Sequence, residues 1–280
     1  MTARVSVIVP THNRRHTLET ALDSVIVQTH PPHETIVVDD GSDDGTANWL
    51  RAHRPEVTTV QQDNRGVSAA RNRGIAHATG DWVALLDSDD AWQPGKLAVQ
   101  LAALQAAPGH RLCHTDEIWI RNGVRVNPKR RHAKHGGHIF RHCLPLCAIS
   151  PSAALIHRSV FDDIGPFDET LPACEDYDYW LRLCSREPVL YVDEKLVIKS
   201  GGHADQLSRR YEAMDRFRIL ALLNLLERTP LSAADRAAAL NTLDAKLQVY
   251  GDGARKRGNT TELDAALRRR VALSAGPPPC

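Results

Sequence analysis

The chain has 280 residues, 42% of them hydrophobic, with 35 Lys and Arg against 34 Asp and Glu and a formal net charge of +1. That length holds one large domain or a domain with an appendage, and the balanced charge gives no general pull toward nucleic acid, so no nucleic-acid partner is expected. The apolar run near the start, Val5 to Val9, is too short for a signal peptide, and no stretch approaches the roughly 20 apolar residues of a membrane span. Six cysteines follow no framework spacing, so a cytoplasmic protein with reduced thiols is expected.

Arg4 to Val9 reads as a buried strand broken by Pro10-Thr11-His12-Asn13, after which Leu18, Leu22, Val25 and Ile26 recur at helical spacing. A second apolar run, Thr35 to Val38, ends in Asp39-Asp40-Gly41-Ser42, and Trp49 and Leu50 lie on a short helix beyond it. Val57 to Val60 is a third strand, Val67 to Ala78 an Ala-rich helix and Trp82 to Leu86 a fourth strand. Strands alternating with helices at this spacing predict right-handed crossovers and a parallel sheet covered on both faces.

The fourth strand stops on Asp87-Ser88-Asp89-Asp90, three carboxylates in four positions. Like charges packed so closely repel, and a divalent cation with hard oxygen ligands, magnesium or manganese, relieves them. A solvated turn is the plain alternative, since Asp and Ser favour turns. The other strands end in Pro10-Thr11-His12-Asn13, in Asp39-Asp40 and before Asp63-Asn64-Arg65-Gly66. In a parallel sheet all of these share one edge, where open α/β folds bind ligands. Together with Arg71 and Arg73 on the following helix, they predict a nucleoside-diphosphate site.

Pro94 precedes a helix carrying Leu97, Leu101 and Leu104. Asn122-Gly123 signals a hairpin between Leu112 to Ile120 and Val124 to Asn127, and a mixed sheet is expected in this half. Ile139, Cys143, Leu146 and Cys147 fall on one face of a predicted core helix. That face competes with a zinc reading of His132, His135, His138, His142, Cys143 and Cys147, whose spacing lacks the paired short intervals of zinc sites. Lys129-Arg130-Arg131 reads as a charged loop. From about Asp205 leucines recur at helical spacing, and residues 275–280 read as a disordered tail. The helical extension is expected to pack on the catalytic domain or to form a homodimer. Peripheral contact with an anionic membrane through Arg255-Lys256-Arg257 and Arg268-Arg269-Arg270 is the alternative.

Five segments in order resemble the family 2 inverting glycosyltransferases. They are Val5 to Arg14, Val37 to Thr46, Gly66 to Ile75, Leu86 to Asp90, and Phe167-Asp168-Glu169 followed by Glu175 to Arg182. The resemblance implies a GT-A fold, α/β with a mostly parallel sheet flanked by helices and a C-terminal helical extension. It divides the chain into a catalytic domain over 1–204 (donor half 1–110, acceptor half 111–204), an extension over 205–274 and the tail. It implies metal-dependent, inverting, hexosyl-type transfer from a nucleotide-sugar donor, a UDP-sugar, to a saccharide, lipid-linked or small-molecule acceptor.

By the same resemblance Pro10, Thr11 and Asn13 meet the nucleoside, Asp40 accepts the uracil imide hydrogen and Arg71 faces the base or diphosphate. Asp87 and Ser88 complete the donor site, with Asp87 on the ribose hydroxyls. Asp89 and His203 hold Mn2+ or Mg2+, and Asp176 is the base. Two rival readings remain. In a haloacid-dehalogenase-like phosphohydrolase Asp87 would be the nucleophile, although Ala91 stands where that motif wants Thr or Val. The other rival is a catalytically silent nucleotide-sugar binder.

Overall fold

The computed structural model describes residues 3–202, 211–258 and 260–274. Its first half alternates as the apolar periodicity predicts: β1 (Val5–Thr11), α1 (Arg15–Ile26), β2 (Glu34–Asp40), α2 (Thr46–His53), β3 (Thr58–Gln62), α3 (Val67–His77) and β4 (Trp82–Leu85). These four strands are parallel, in the order β3-β2-β1-β4. After β5 (Ala91–Trp92) and α4 (Lys96–Ala106) come β6 (Leu112–Arg121) and β7 (Val124–Val126). Asn122 and Gly123, both at positive φ, turn the chain between those two strands.

Short helices α5 (Phe140–Cys143) and α6 (Ser159–Ile164) flank β8 (Leu155–His157). They are followed by α7 (Glu175–Cys184) and β9 (Leu190–Gly201). The nine strands among the described residues join one mixed sheet, β3-β2-β1-β4-β8-β6-β9-β5, with β7 on β6. β8 runs antiparallel to β4 and β6, while β6 and β9 are parallel.

Alternate strand residues feed two cores, as a sheet covered on both faces requires. Val5, Val7 and Val9 meet Leu18, Leu22, Trp49, Leu50 and Leu97 of α1, α2 and α4. Ile8, Ile36, Val38, Val83 and Leu85 face α3, α7 and the C-terminal helices. Those helices are α8 (Asp215–Arg228), α9 (Ala233–Arg257) and α10 (Thr261–Ala272). They share the second core through Phe217, Leu222, Leu226, Leu243, Leu247 and Leu263. The extension thus packs on the rest of the chain.

Half of its basic runs is paired within the chain, Arg269 with Glu227 and Arg270 with Asp244 at 2.6 Å each, and Arg255 with Asp252 at 3.5 Å. No helix among the described residues is long and apolar enough to cross a membrane.

Three expectations need correction. Ile26, assigned to the buried face of α1, is 53% exposed. The core helix expected from Ile139 to Cys147 ends at Cys143, because Pro145 lacks the amide that would continue it. Arg73 is exposed, about 200° around α3 from the buried Arg71, so it does not share the crevice with it.

Candidate active site

The crevice forms where β1, β2 and β4 end, and its loops are clasped to one another. The Asn13 amide donates to Ser42 Oγ at 2.9 Å, and Asn13 Oδ1 accepts from the Asp43 amide at 2.9 Å. Asn13 therefore ties the loop after β1 to the loop after β2. Pro10 and Thr11 are buried ends of β1, and Thr11 Oγ1 and His12 Nδ1 have no hydrogen-bond partner among the described residues. Asp40 accepts from the Gly66 amide (2.8 Å), the Arg65 amide (2.9 Å) and Gln62 Nε2 (2.7 Å). It thereby fastens the start of α3. Gly41, at φ +76, lets that loop approach; a Cβ there would lie 2.8 Å from the Asn64 nitrogen.

Two acids of the turn after β4 are ion-paired. Asp87 Oδ1 lies 2.7 Å from Arg71 Nη2, and Asp89 Oδ2 lies 2.7 Å from Arg14 Nη1. Asp90 is buried, accepting from Ser152 Oγ (2.7 Å) and the Ser200 amide (2.9 Å). Burial raises its pKa well above the carboxylate range and the charges of Asp87 and Asp89 add to that, against the pull of Lys199. Burial alone would lower the pKa of Lys199, but Glu117, Asp90 and Asp87 together raise it. The repulsion within the turn is thus relieved by the chain's own cations, a device the sequence argument for a metal did not contain. Ser88 is buried beside them.

Arg71 is 3% exposed and spans two elements: Nη1 donates to Glu175 Oε1 at 2.6 Å while Nη2 holds Asp87. Its guanidinium also lies over the Phe167 ring, 5.4 Å from the centroid. Its fork is turned inward and taken by two carboxylates. Burial raises the pKa of Glu175 and Asp176 adds to it, while Arg71 opposes. Asp176 sits in the first turn of α7, whose entry residue Cys174 adopts φ +61. One Asp176 oxygen accepts from the Tyr177 amide at 2.7 Å and the other from the Cys147 thiol at 3.1 Å. Burial first, and Asp176 second, push that thiol well above its ordinary pKa.

Two oxygens, Asp87 Oδ2 and Asp89 Oδ1, carry no hydrogen bond among the described residues. No group of three or more His, Cys, Asp or Glu placed to hold a metal occurs among those residues either. One or two carboxylates completed by substrate phosphates is the usual magnesium pattern, and these oxygens, on partly buried side chains, fit it. His203, the expected second ligand, lies outside the described residues.

Arg14, Glu175 and Lys199 were assigned no role from sequence, and Cys147 was read on the apolar face of a core helix rather than beside Asp176. Arg14 and Glu175 stood within the resembling segments, but a pairing across 75 or 104 residues has no sequence signal. A separate cavity of about 510 Å³ is lined by Asn72, Phe167, Glu169, Asp178, Arg182 and Arg228 among others. It contains none of the expected site residues.

The parallel part of the sheet, its acid-rich carboxyl edge facing a helix that bears further acids, is the crevice layout of an open α/β ligand-binding fold. The chain belongs to glycosyl transferase family 2, whose model matches residues 6–165. An uncharacterized glycosyltransferase of Rickettsia prowazekii is 31% identical over 207 residues, covering 72% of this chain and 65% of the relative. The chain spans between about a third and two thirds of the length of such relatives.

Among solved structures, Staphylococcus aureus TarS 1–349 matches with a TM-score of 0.67 and 19% identity, covering 96% of this chain and 80% of that one. The mannosyltransferase PcManGT of Pyrobaculum calidifontis, in complex with GDP-Man and Mn2+, matches at 0.61 and 21%, covering 99% and 82%. These likenesses establish the GT-A fold. The family assignment removes the dehalogenase-like alternative.

Proposed function

We propose that the crevice transfers a sugar with inversion from a nucleoside-diphosphate donor, a UDP-sugar, to an acceptor hydroxyl. The observation that carries this reading is the Arg71 fork, because it holds the acidic turn and the first turn of α7 within one guanidinium span. A group that binds the leaving diphosphate and a base for the attacking hydroxyl must lie that close. TarS has been crystallised with UDP and with UDP-GlcNAc, which supports a uridine donor here.

Thr11, with its unpaired hydroxyl, and the neighbouring Pro10 and Asn13 line the nucleoside, and Asp40 offers its remaining lone pair to the uracil imide. Asp87 and Ser88 meet the ribose. Asp89 and His203 would hold Mn2+ or Mg2+, which when bound supplies positive charge beside the departing diphosphate. Asp176 accepts the acceptor's hydroxyl proton as the new carbon–oxygen bond forms and the bond to the diphosphate breaks. The acceptor is a saccharide, a lipid-linked group or a small molecule, reached from the cytoplasmic side. The exposed Val249, Leu267 and Val271 of α9 and α10 give a homodimer its surface.

A panel of nucleotide sugars with manganese and acceptors tests the reading by scoring the released product. Acceptor-dependent release of UDP is expected. Release of inorganic phosphate, or binding without turnover across the panel, would overturn it. Asp176→Asn should leave UDP affinity within about twofold and lower turnover by two orders of magnitude or more, the usual scale for a general base. Unchanged turnover would move the role to another acid.

A further inference from the structure

Residues 118–161 hold eight Lys and Arg and no Asp or Glu, so every cation there must find its acid elsewhere in the fold. Some do: Lys134 pairs with the buried Glu117 at 3.2 Å and Arg141 with Asp235 at 2.7 Å. Arg121, Lys129 and Arg131 are exposed and form no ion pair among the described residues. They also stand together. Arg121 ends β6, Arg131 lies in the single 3-10 turn Arg130–His132, and Lys129 precedes that turn. Burial first, then the charges of Arg131, Lys134, Arg121 and Lys129, lower the pKa of His132, so these cations all lie within reach of one ring.

A flat ring completes the patch. Trp119 is partly exposed and its Nε1 donates to Glu117 Oε2 at 2.7 Å. Its ring centroid lies 5.2 Å from that of His132 and 6.0 Å from the Arg121 guanidinium carbon. An indole held by its N–H presents an apolar face, on which the C–H face of a sugar ring can stack. The patch is continuous with the crevice. Trp119 is in register with Lys199 on the neighbouring strand β9, so the two share a sheet face. Lys199 donates to Ser150 Oγ at 3.0 Å, and Cys147, on the same segment, donates to Asp176 at 3.1 Å.

We propose that this patch docks the acceptor, and that the acceptor is an anionic saccharide chain. One sugar stacks on Trp119, and carboxylate or phosphate groups of the chain pair with Arg121, Lys129 and Arg131. The inference rests on the proposed transfer, in which Asp176 receives the acceptor's hydroxyl proton. A bilayer fits the patch less well: Val124 is its one exposed large apolar side chain, and interfacial binding needs an apolar face as well as charge.

Calorimetry of the full chain at low salt tests this with oligogalacturonate, a phosphomannan oligosaccharide and a neutral maltooligosaccharide. Phosphatidylglycerol vesicles and single-stranded DNA are titrated beside them. At least one anionic saccharide should bind about tenfold more tightly than the neutral one, the scale of a few partly exposed ion pairs. The tighter of the two identifies the anionic group. Changing Arg121→Gln, Lys129→Gln and Arg131→Gln together should abolish that preference. Trp119→Leu, which alters no charge, should weaken the anionic and neutral saccharides alike.

Anionic and neutral saccharides bound equally would overturn the proposal, as would a triple variant or a Trp119→Leu protein that binds them like wild type. Tighter binding of vesicles or DNA than of either anionic saccharide would overturn it too. UDP titration of the same proteins separates the two layers. Normal UDP affinity without an anionic preference removes the docking surface alone. A wild type that binds anionic saccharide but not UDP removes the transfer reading, and the acceptor role with it.

Discussion

Arg71 joins sequence, stability and the proposed chemistry in a single side chain. Its fork satisfies Asp87 and the buried Glu175, and only a planar guanidinium reaches both. Arg71→Met leaves Glu175 buried without a counter-charge, so unfolding in urea should show a loss of about 3–5 kcal/mol. Arg71→Lys, able to satisfy one acid at a time, should recover part of it. A methionine variant as stable as wild type would mean that Glu175 protonates or rehydrates without strain.

Lys96 makes a second residue-scale case. Its ammonium is buried, 2.8 Å from Gln100 Oε1 and 4.0 Å from the centroid of the Trp92 ring, and burial lowers its pKa from 10.5 to about 7. The fold therefore favours the neutral amine. That contribution is complete above about pH 10.5 and is lost as pH falls toward 7, with little further loss below. Lys96→Met should remove this slope in chemical denaturation between pH 7 and 10. Equal slopes in both proteins would show Lys96 charged throughout, held by Trp92 and Gln100. Neither role was legible in the sequence, because burial of a basic residue is decided by partners distant along the chain.

At the scale of elements, most of the donor half was readable, since its apolar runs and their polar ends carry the period of the parallel sheet. Bounds moved by a residue or two, as for β1 and β3. β9 carries a short apolar run, Leu196 to Ile198, yet the strand runs Leu190–Gly201 through exposed Asp193-Glu194-Lys195, where its register against β6 shifts near Asp116. A bulge at a charged stretch breaks the alternation that sequence reading depends on. β5, two residues long and held only by Ala91 and Trp92 against β9, leaves no periodic signal. The closeness of α3 to the sheet is equally silent in sequence. A Cβ on Gly74 would lie 2.4 Å from Ile8 Cγ2 and 3.2 Å from Val38 Cγ2. Gly74→Ala gains about 1 kcal/mol of helix propensity but should cost about 1–3 kcal/mol in overpacking. A net fall in thermal stability is expected, with weaker UDP binding because Arg71 lies one turn earlier on the same helix. A stabilised Gly74→Ala protein would mean that Ile8 shifts freely.

The whole molecule bears on the division at residue 204 expected from sequence. The catalytic half and the extension read as separate because their periodicities differ, but periodicity says nothing about which faces meet. α8 buries Phe217, Ile219, Leu222, Leu223, Leu225 and Leu226 in the core that also holds Tyr177, Trp180 and Leu181 of α7, the helix carrying Asp176. At roughly 1.5–3 kcal/mol for each fully buried large apolar side chain, these contacts are worth on the order of 10 kcal/mol, as much as the net stability of an entire domain. A chain ending at residue 204 should therefore lose cooperative unfolding and UDP binding together. A chain ending at Gly258, which lacks only α10 and its buried Leu263 and Ala266, should keep both, with a midpoint lowered by several degrees. Thermal melts by circular dichroism, with UDP titration of each truncation, distinguish the outcomes. If residues 1–204 melt cooperatively at the wild-type temperature and bind UDP as the full chain does, the extension is a separate unit resting on α7, and α8 is dispensable to the position of Asp176.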